Sequence, residues 1–169
     1  ILNTIKQRQG KNVYFTTLFD LYALPVDFPG AAEHTRNSHN PTPHVQELQQ
    51  AFEQDISHRH FIAYLQLHEY ETMLFADPDA FEISFENCRD KIEQLKAIVD
   101  SVPSIEHIND GKETAPSKRI IAIFPQFKGR KSTAGPDIAE YIGMSKIRQA
   151  CPNYHRWIER LESISWESE

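Results

Sequence analysis

The stretch Phe61-Ile-Ala-Tyr-Leu-Gln-Leu67 is apolar almost throughout, and His68-Glu-Tyr-Glu71 follows it directly. A short apolar run without polar alternation predicts a strand buried on both faces. A second such run, Asn12–Phe19 (NVYFTTLF), ends at Asp20. Between the two, Val45, Leu48, Phe52 and Ile56 recur at spacings of three and four, which predicts an amphipathic helix over about residues 44–57. Strand, crossover helix, strand is the connection that parallel neighbours need, so the expected class is α/β with a mainly parallel sheet flanked by helices.

The rest of the chain reads as loop and helix. Residues 23–43 hold Pro25, Pro29, Pro41, Pro43 and Gly30, and predict a long loop. Glu86–Val102 predicts a helix with Ile92, Leu95 and Val99 facing inward. Thr114 to Arg119 predicts a helix start, with Thr114 as cap and Pro116 in the first turn, running to about Phe124. Pro136 to Ser163 predicts two or three short helices divided at Gly143 and Pro152. Tyr154, Trp157, Ile158 and Leu161 recur at helical spacing and predict core packing. The expected organisation is one domain over residues 1–169, with residues 112–169 as a helical C-terminal portion.

Composition limits the functions. The chain has 169 residues, 40% of them hydrophobic and 25% charged, enough apolar material for a real core. A net charge of −6 argues against a generally basic, sequence-independent nucleic-acid binder. It leaves room for an enzyme that holds nucleic acid through a metal and a local basic patch. Cys88 and Cys151 form no CxxC pair, so neither a disulfide framework nor a zinc ribbon is expected, and a cytoplasmic location is. No apolar run approaches the length of a membrane span. The chain begins at Ile1, which predicts a missing N-terminal segment.

Open parallel sheets form their sites outside the carboxyl ends of the strands. Asp20 ends the first strand, and Glu69 and Glu71 follow the second. Carboxylates gathered there repel one another unless a hard cation such as Mg²⁺ or Mn²⁺ is shared between them, as in two-metal hydrolysis. The plainer reading is that Asp20 starts a turn and the glutamates start a helix, where acids suit the dipole. His68 reads as a general base or, more simply, as a group orienting a neighbouring acid or water. The spacing is not HExxH, and His34, His39 and His44 in the proline-rich loop match no metal motif. Lys118 and Arg119 stand at a predicted helix start, where backbone N–H groups and added cations suit a phosphate; solvated charge is the alternative. Lys128-Gly-Arg-Lys131 is the densest basic run, and Lys128 is a further candidate phosphate contact.

Four blocks then carry a resemblance: TTLFDLYALPVDFPG at 16–30, LQLHEYETMLFADP at 65–78, IND at 108–110 followed by APSKRI at 115–120, and IRQACPNYHRWIERLE at 147–162. In this order they resemble the DUF4276 family over nearly the whole chain. The resemblance implies a divergent Toprim-like domain, encoded beside ABC- or SMC-like ATPases in bacterial defence against phage. A Toprim-like site uses a glutamate after the first strand and an acidic pair after a later one to hold Mg²⁺ for phosphodiester chemistry. Asp20 matches the first acid of that pair, whereas Tyr22 stands where the second is expected. The family's first glutamate would precede Ile1.

The expectation is therefore a Mg²⁺- or Mn²⁺-dependent nuclease subunit acting on DNA or RNA with an ATPase partner, possible as a homo-oligomer and not membrane-bound. Asp20, Glu69 and Glu71 would hold metal; His68, Glu69, Glu71 and Lys118 would act in catalysis; Lys118, Arg119 and Lys128 would meet the substrate phosphate. Tyr22 and the acidic surface favour the alternative, a non-catalytic regulatory or scaffold subunit on an ATPase. Phosphoryl transfer on a nucleotide, with the proline-rich loop as a lid, ranks last.

Overall fold

The two apolar stretches pair in parallel, in a computed structural model that describes residues 1–8, 10, 12–31, 41–108 and 114–165. The chain is α/β and mostly helical, and it divides into two units: Ile1–Gln66 with Trp157–Glu169, and Leu67–Arg156.

The first unit opens with a short helix, α1 (Leu2–Gln7). Strand β1 (Phe15–Thr16) pairs with β3 (Phe61–Ile62), and β2 (Phe19–Asp20) with β4 (Leu65–Gln66). Asn12–Phe19 and Phe61–Leu67 are thus each realised as two short strands, and the second ends one residue earlier than the sequence predicts. Thr17 is the reason for the split. Its Oγ1 accepts from the Tyr64 amide at 3.0 Å and donates to the Tyr64 carbonyl at 3.1 Å, so a hydroxyl replaces the backbone ladder midway. Thr17→Val keeps the shape and removes both bonds around a buried amide. We expect it to cost about 2 kcal/mol in chemical denaturation, whereas a change under about 0.5 kcal/mol would show the hydroxyl to be dispensable.

Helix α2 (Pro41–Ile56) begins earlier than its apolar pattern and buries Val45, Leu48, Phe52 and Ile56. It also serves the free edge of the strand 61–66. The Ala63 amide donates to Glu53 Oε1 at 2.8 Å, and the Leu65 amide to Gln49 Oε1 at 2.9 Å. Four residues along a helix rise about 6 Å, and two along a strand about 6.6 Å, so the two spacings match. Helix α6 (Pro152–Glu162) contributes Trp157 and Arg160 to this unit. The Trp157 ring stacks on Tyr64 with centroids 4.4 Å apart, and its Nε1 donates to Thr16 Oγ1 at 2.8 Å. Arg160 pairs with Glu53 at 2.9 Å. Packing is thus the role of Trp157, as its spacing predicts.

The second unit is built from 3-10 turns and helices. Turns at Tyr70–Ala76 and Pro78–Ile83 lead to α3 (Arg89–Asp100), which buries Ile92 and Leu95 while Val99 is half-buried. After a turn at Ile105–His107 come α4 (Pro116–Ile123), a turn at Pro125–Gly129 and α5 (Lys131–Ala150). Phe81, Phe85, Phe124 and Phe127 form its aromatic centre, with neighbouring centroids 5.0–6.5 Å apart. The helix predicted from Pro136 starts at Lys131. It is interrupted at Gly143, whose φ of 77° and ψ of 154° belong to a region that side chains other than glycine scarcely enter. The sequence therefore places both divisions, Gly143 and Pro152, where the structure has them.

No helix among the described residues is long and apolar enough to cross a membrane.

Candidate functional site

In the first unit, Asp20 sits at the carboxyl end of β2, in register with Gln66 of β4. Asp20 is half-buried, and Gln66 is buried with its Oε1 accepting from the Tyr64 hydroxyl at 2.6 Å.

The chain enters the second unit at Leu67, and the next residue bends it sharply. His68 is buried and has φ of +69°, in the left-handed region. Such a conformation costs a non-glycine residue about 1 kcal/mol, and strain of this kind concentrates at functional positions. Glycine normally weakens a fold relative to alanine. At this position we expect the reverse, with His68→Gly more stable than His68→Ala by about 1 kcal/mol in parallel denaturation curves; the usual order would contradict it.

Beyond the bend, Glu69 is extended and buried, and its Oε2 accepts from the Ser117 amide at 2.8 Å. The reason lies in α4. Its N-cap is Ala115, which offers no side-chain acceptor, and Pro116 has no N–H. Ser117 therefore carries the first amide needing an acceptor, and it is itself buried. Glu69 supplies that acceptor from 48 positions away. Thr114 does not act as the cap; its carbonyl instead accepts from Arg119 Nε at 2.9 Å. Lys118 is exposed and Arg119 half-buried. The predicted phosphate site at the start of α4 thus already holds a carboxylate of the chain itself.

Glu71 is engaged as well. Its carboxylate, 13% exposed, lies 2.9 Å from Lys131 Nζ at the start of α5. The Tyr70 hydroxyl donates to the Gly135 carbonyl of the same helix at 3.2 Å, and burial, then the Glu71 charge, push that phenol up. Lys131 is a cation at a helix N-terminus, an unfavourable place that Glu71 neutralises. Of the basic run, Arg130 is also tied: it donates to the Ser84 carbonyl at 2.9 Å and lies over the Phe85 ring. Lys128 is exposed.

Another buried acid, Glu106, escaped the sequence reading. Both of its oxygens accept from the Asn153 amide at 3.0 Å, and Oε1 also from Tyr154 at 3.3 Å, at the start of α6. Burial pushes its carboxyl above the usual range, and the amides and Arg156 pull part of the way back. The Cys151 thiol is pushed far up by burial and then by Glu106. Ala-Pro and Cys-Pro, at 115–116 and 151–152, were the available signal: helix starts with proline and no Ser, Thr, Asp or Asn before it.

Asp20 belongs to the first unit, and Glu69 and Glu71 to the second. Among the described residues no three His, Cys, Asp or Glu side chains group to hold a metal ion. With Glu69 bonded to Ser117 and Glu71 to Lys131, the acids do not fit a divalent cation in this arrangement. Tyr22 follows two residues after Asp20, in the turn Leu21–Ala23. His34 and His39 lie outside the described residues.

A search of curated proteins and a search of solved structures each returned no match. A family model described as a domain of unknown function (DUF4276) matches residues 1–162. With nearly its whole length covered, the chain belongs to the DUF4276 family.

Proposed function

We propose that this chain is a Toprim-like subunit that works with an ATPase partner in bacterial phage defence and cleaves phosphodiester bonds of DNA or RNA, with Mg²⁺ or Mn²⁺ as cofactor. The observation that supports it is the parallel pair β2–β4. Asp20 ends one strand, and the other runs on in sequence, through a left-handed His68, into Glu69 and Glu71. Acids at the carboxyl ends of parallel strands are where such chemistry is built. Lys118 and Lys128 are exposed and open to a substrate phosphate, with Arg119 beside Lys118 in sequence.

Asp20→Asn and Glu71→Gln carry the test, since each keeps the size of the side chain and one of its oxygens while removing the charge a metal would need. Metal-dependent cleavage of DNA or RNA by the full chain with its ATPase, abolished in both variants, supports the reading. Cleavage unchanged in both would sink it.

The contacts of Glu69 and Glu71 favour a second reading, a non-catalytic regulatory or scaffold subunit on the ATPase, in which these acids serve the fold. On that reading Asp20→Asn and Glu71→Gln retain co-purification with the ATPase and full protection against phage.

A further inference from the structure

We propose that Met144 is a site of reversible oxidation, and that its sulfoxide, held by the Tyr154 hydroxyl, ties the segment after the Gly143 break more firmly to α6.

The chain has two methionines, and they stand in opposite surroundings. Met73 is 4% exposed, whereas Met144 on α5 is 52% exposed. Met144 directly follows Gly143, whose φ of 77° interrupts the helix. Its sulfur accepts from the Tyr154 hydroxyl at 3.2 Å.

The two ends of this bond are unequal. Tyr154 is buried, and its amide donates to Glu106 Oε1 at 3.3 Å. Burial pushes its phenol up, so the hydroxyl stays a donor at neutral pH. Met144 is long, flexible and open to solvent, and a thioether is a weak acceptor. A fixed donor thus meets a mobile atom that oxidation converts into a polar group.

Hydrogen peroxide supplies the oxygen. The sulfur lone pair attacks one peroxide oxygen, and the O–O bond breaks. The sulfur loses two electrons and becomes a sulfoxide. The proton on the transferred oxygen passes to the departing hydroxide, which leaves as water. The new oxygen then accepts from the Tyr154 hydroxyl in place of the sulfur. Methionine sulfoxide reductases return the thioether, so the change can be undone.

Dilute hydrogen peroxide on the full chain, followed by peptide mass spectrometry and hydrogen exchange, tests this. Met144 is expected to gain oxygen about tenfold faster than Met73. In the oxidised wild type the amides of residues 144–150 should exchange about fivefold more slowly than in the reduced form. Tyr154→Phe should be oxidised at Met144 as well and show no such slowing. A methionine sulfoxide reductase should restore the original exchange. Met144→Leu, given the same peroxide, should keep its exchange unchanged, and it carries the comparison if Tyr154→Phe folds poorly by circular dichroism. Oxidation of both methionines at one rate overturns the site. Unchanged or faster exchange after oxidation at Met144 overturns the tie to α6, as does equal slowing in Tyr154→Phe or Met144→Leu. Exchange that the reductase does not restore overturns the reversibility.

Discussion

Glu106→Ala is expected to lower the stability of the chain by about 3 kcal/mol, seen as a melting temperature about 10 °C lower. Two amides at the start of α6 lose their acceptor, and both belong to buried residues. Each unsatisfied buried donor costs about 1–3 kcal/mol. Removing a carboxylate that burial disfavours returns part of this, which keeps the total near the middle of the range. Glu106→Gln retains one oxygen and should lose less than the alanine variant.

The contribution of Glu106 also depends on pH. The folded carboxyl of Glu106 is raised, so its stabilising contribution is fully present below the unfolded value of about 4.3 and is lost as pH rises through the folded value. The stability advantage of wild type over Glu106→Gln should therefore be greatest in acid and shrink toward neutrality. A difference that grows as pH rises would contradict the burial argument.

Glu69→Ala is the second large effect, with an expected loss of about 2 kcal/mol from the Ser117 amide at the start of α4. Hydrogen exchange should report it locally, with the first-turn amides of α4 exchanging faster while β3 and β4 keep their protection. Glu69→Gln keeps an oxygen toward Ser117 and should stay within about 1 kcal/mol of wild type. The pair separates two roles that one substitution would confuse. Activity lost in Glu69→Gln at unchanged melting temperature would mean that the charge has work beyond the cap, whereas activity lost in Glu69→Ala alone would reflect a displaced α4.

The parts of the fold written in periodicity were legible in the sequence. Val45, Leu48, Phe52 and Ile56 predict α2, and all four are buried. The apolar runs at 12–19 and 61–67 predict parallel strands, and the registers Phe15 with Phe61 and Phe19 with Leu65 bear this out. The length of the strands was not legible, because the Thr17 hydroxyl does the work of a backbone group. Gly143 and Pro152 announce their breaks because each acts on its own backbone.

The candidate site was legible only as an oddity. Acids after an apolar strand stand out, but the partners of Glu69 and Glu71 lie at Ser117 and Lys131, and no local pattern links positions so far apart. Glu106 was overlooked because it stands in a short turn, Ile105–His107, where an acid attracts no notice. Its partner segment carried the only hint, a Cys-Pro start with no cap of its own.

The pairing of α2 with the strand 61–66 bears on what the protein avoids in the cell. A parallel strand with one edge unpaired is a template on which another chain can add a strand and begin to aggregate. Here the amides of Ala63 and Leu65 on that edge are held by Glu53 and Gln49, and Glu53 is held in turn by Arg160. An incoming strand would have to displace side chains anchored on a four-turn helix before it could make its first bond. Gln49→Ala combined with Glu53→Ala is therefore expected to favour aggregation, seen first as turbidity on storage.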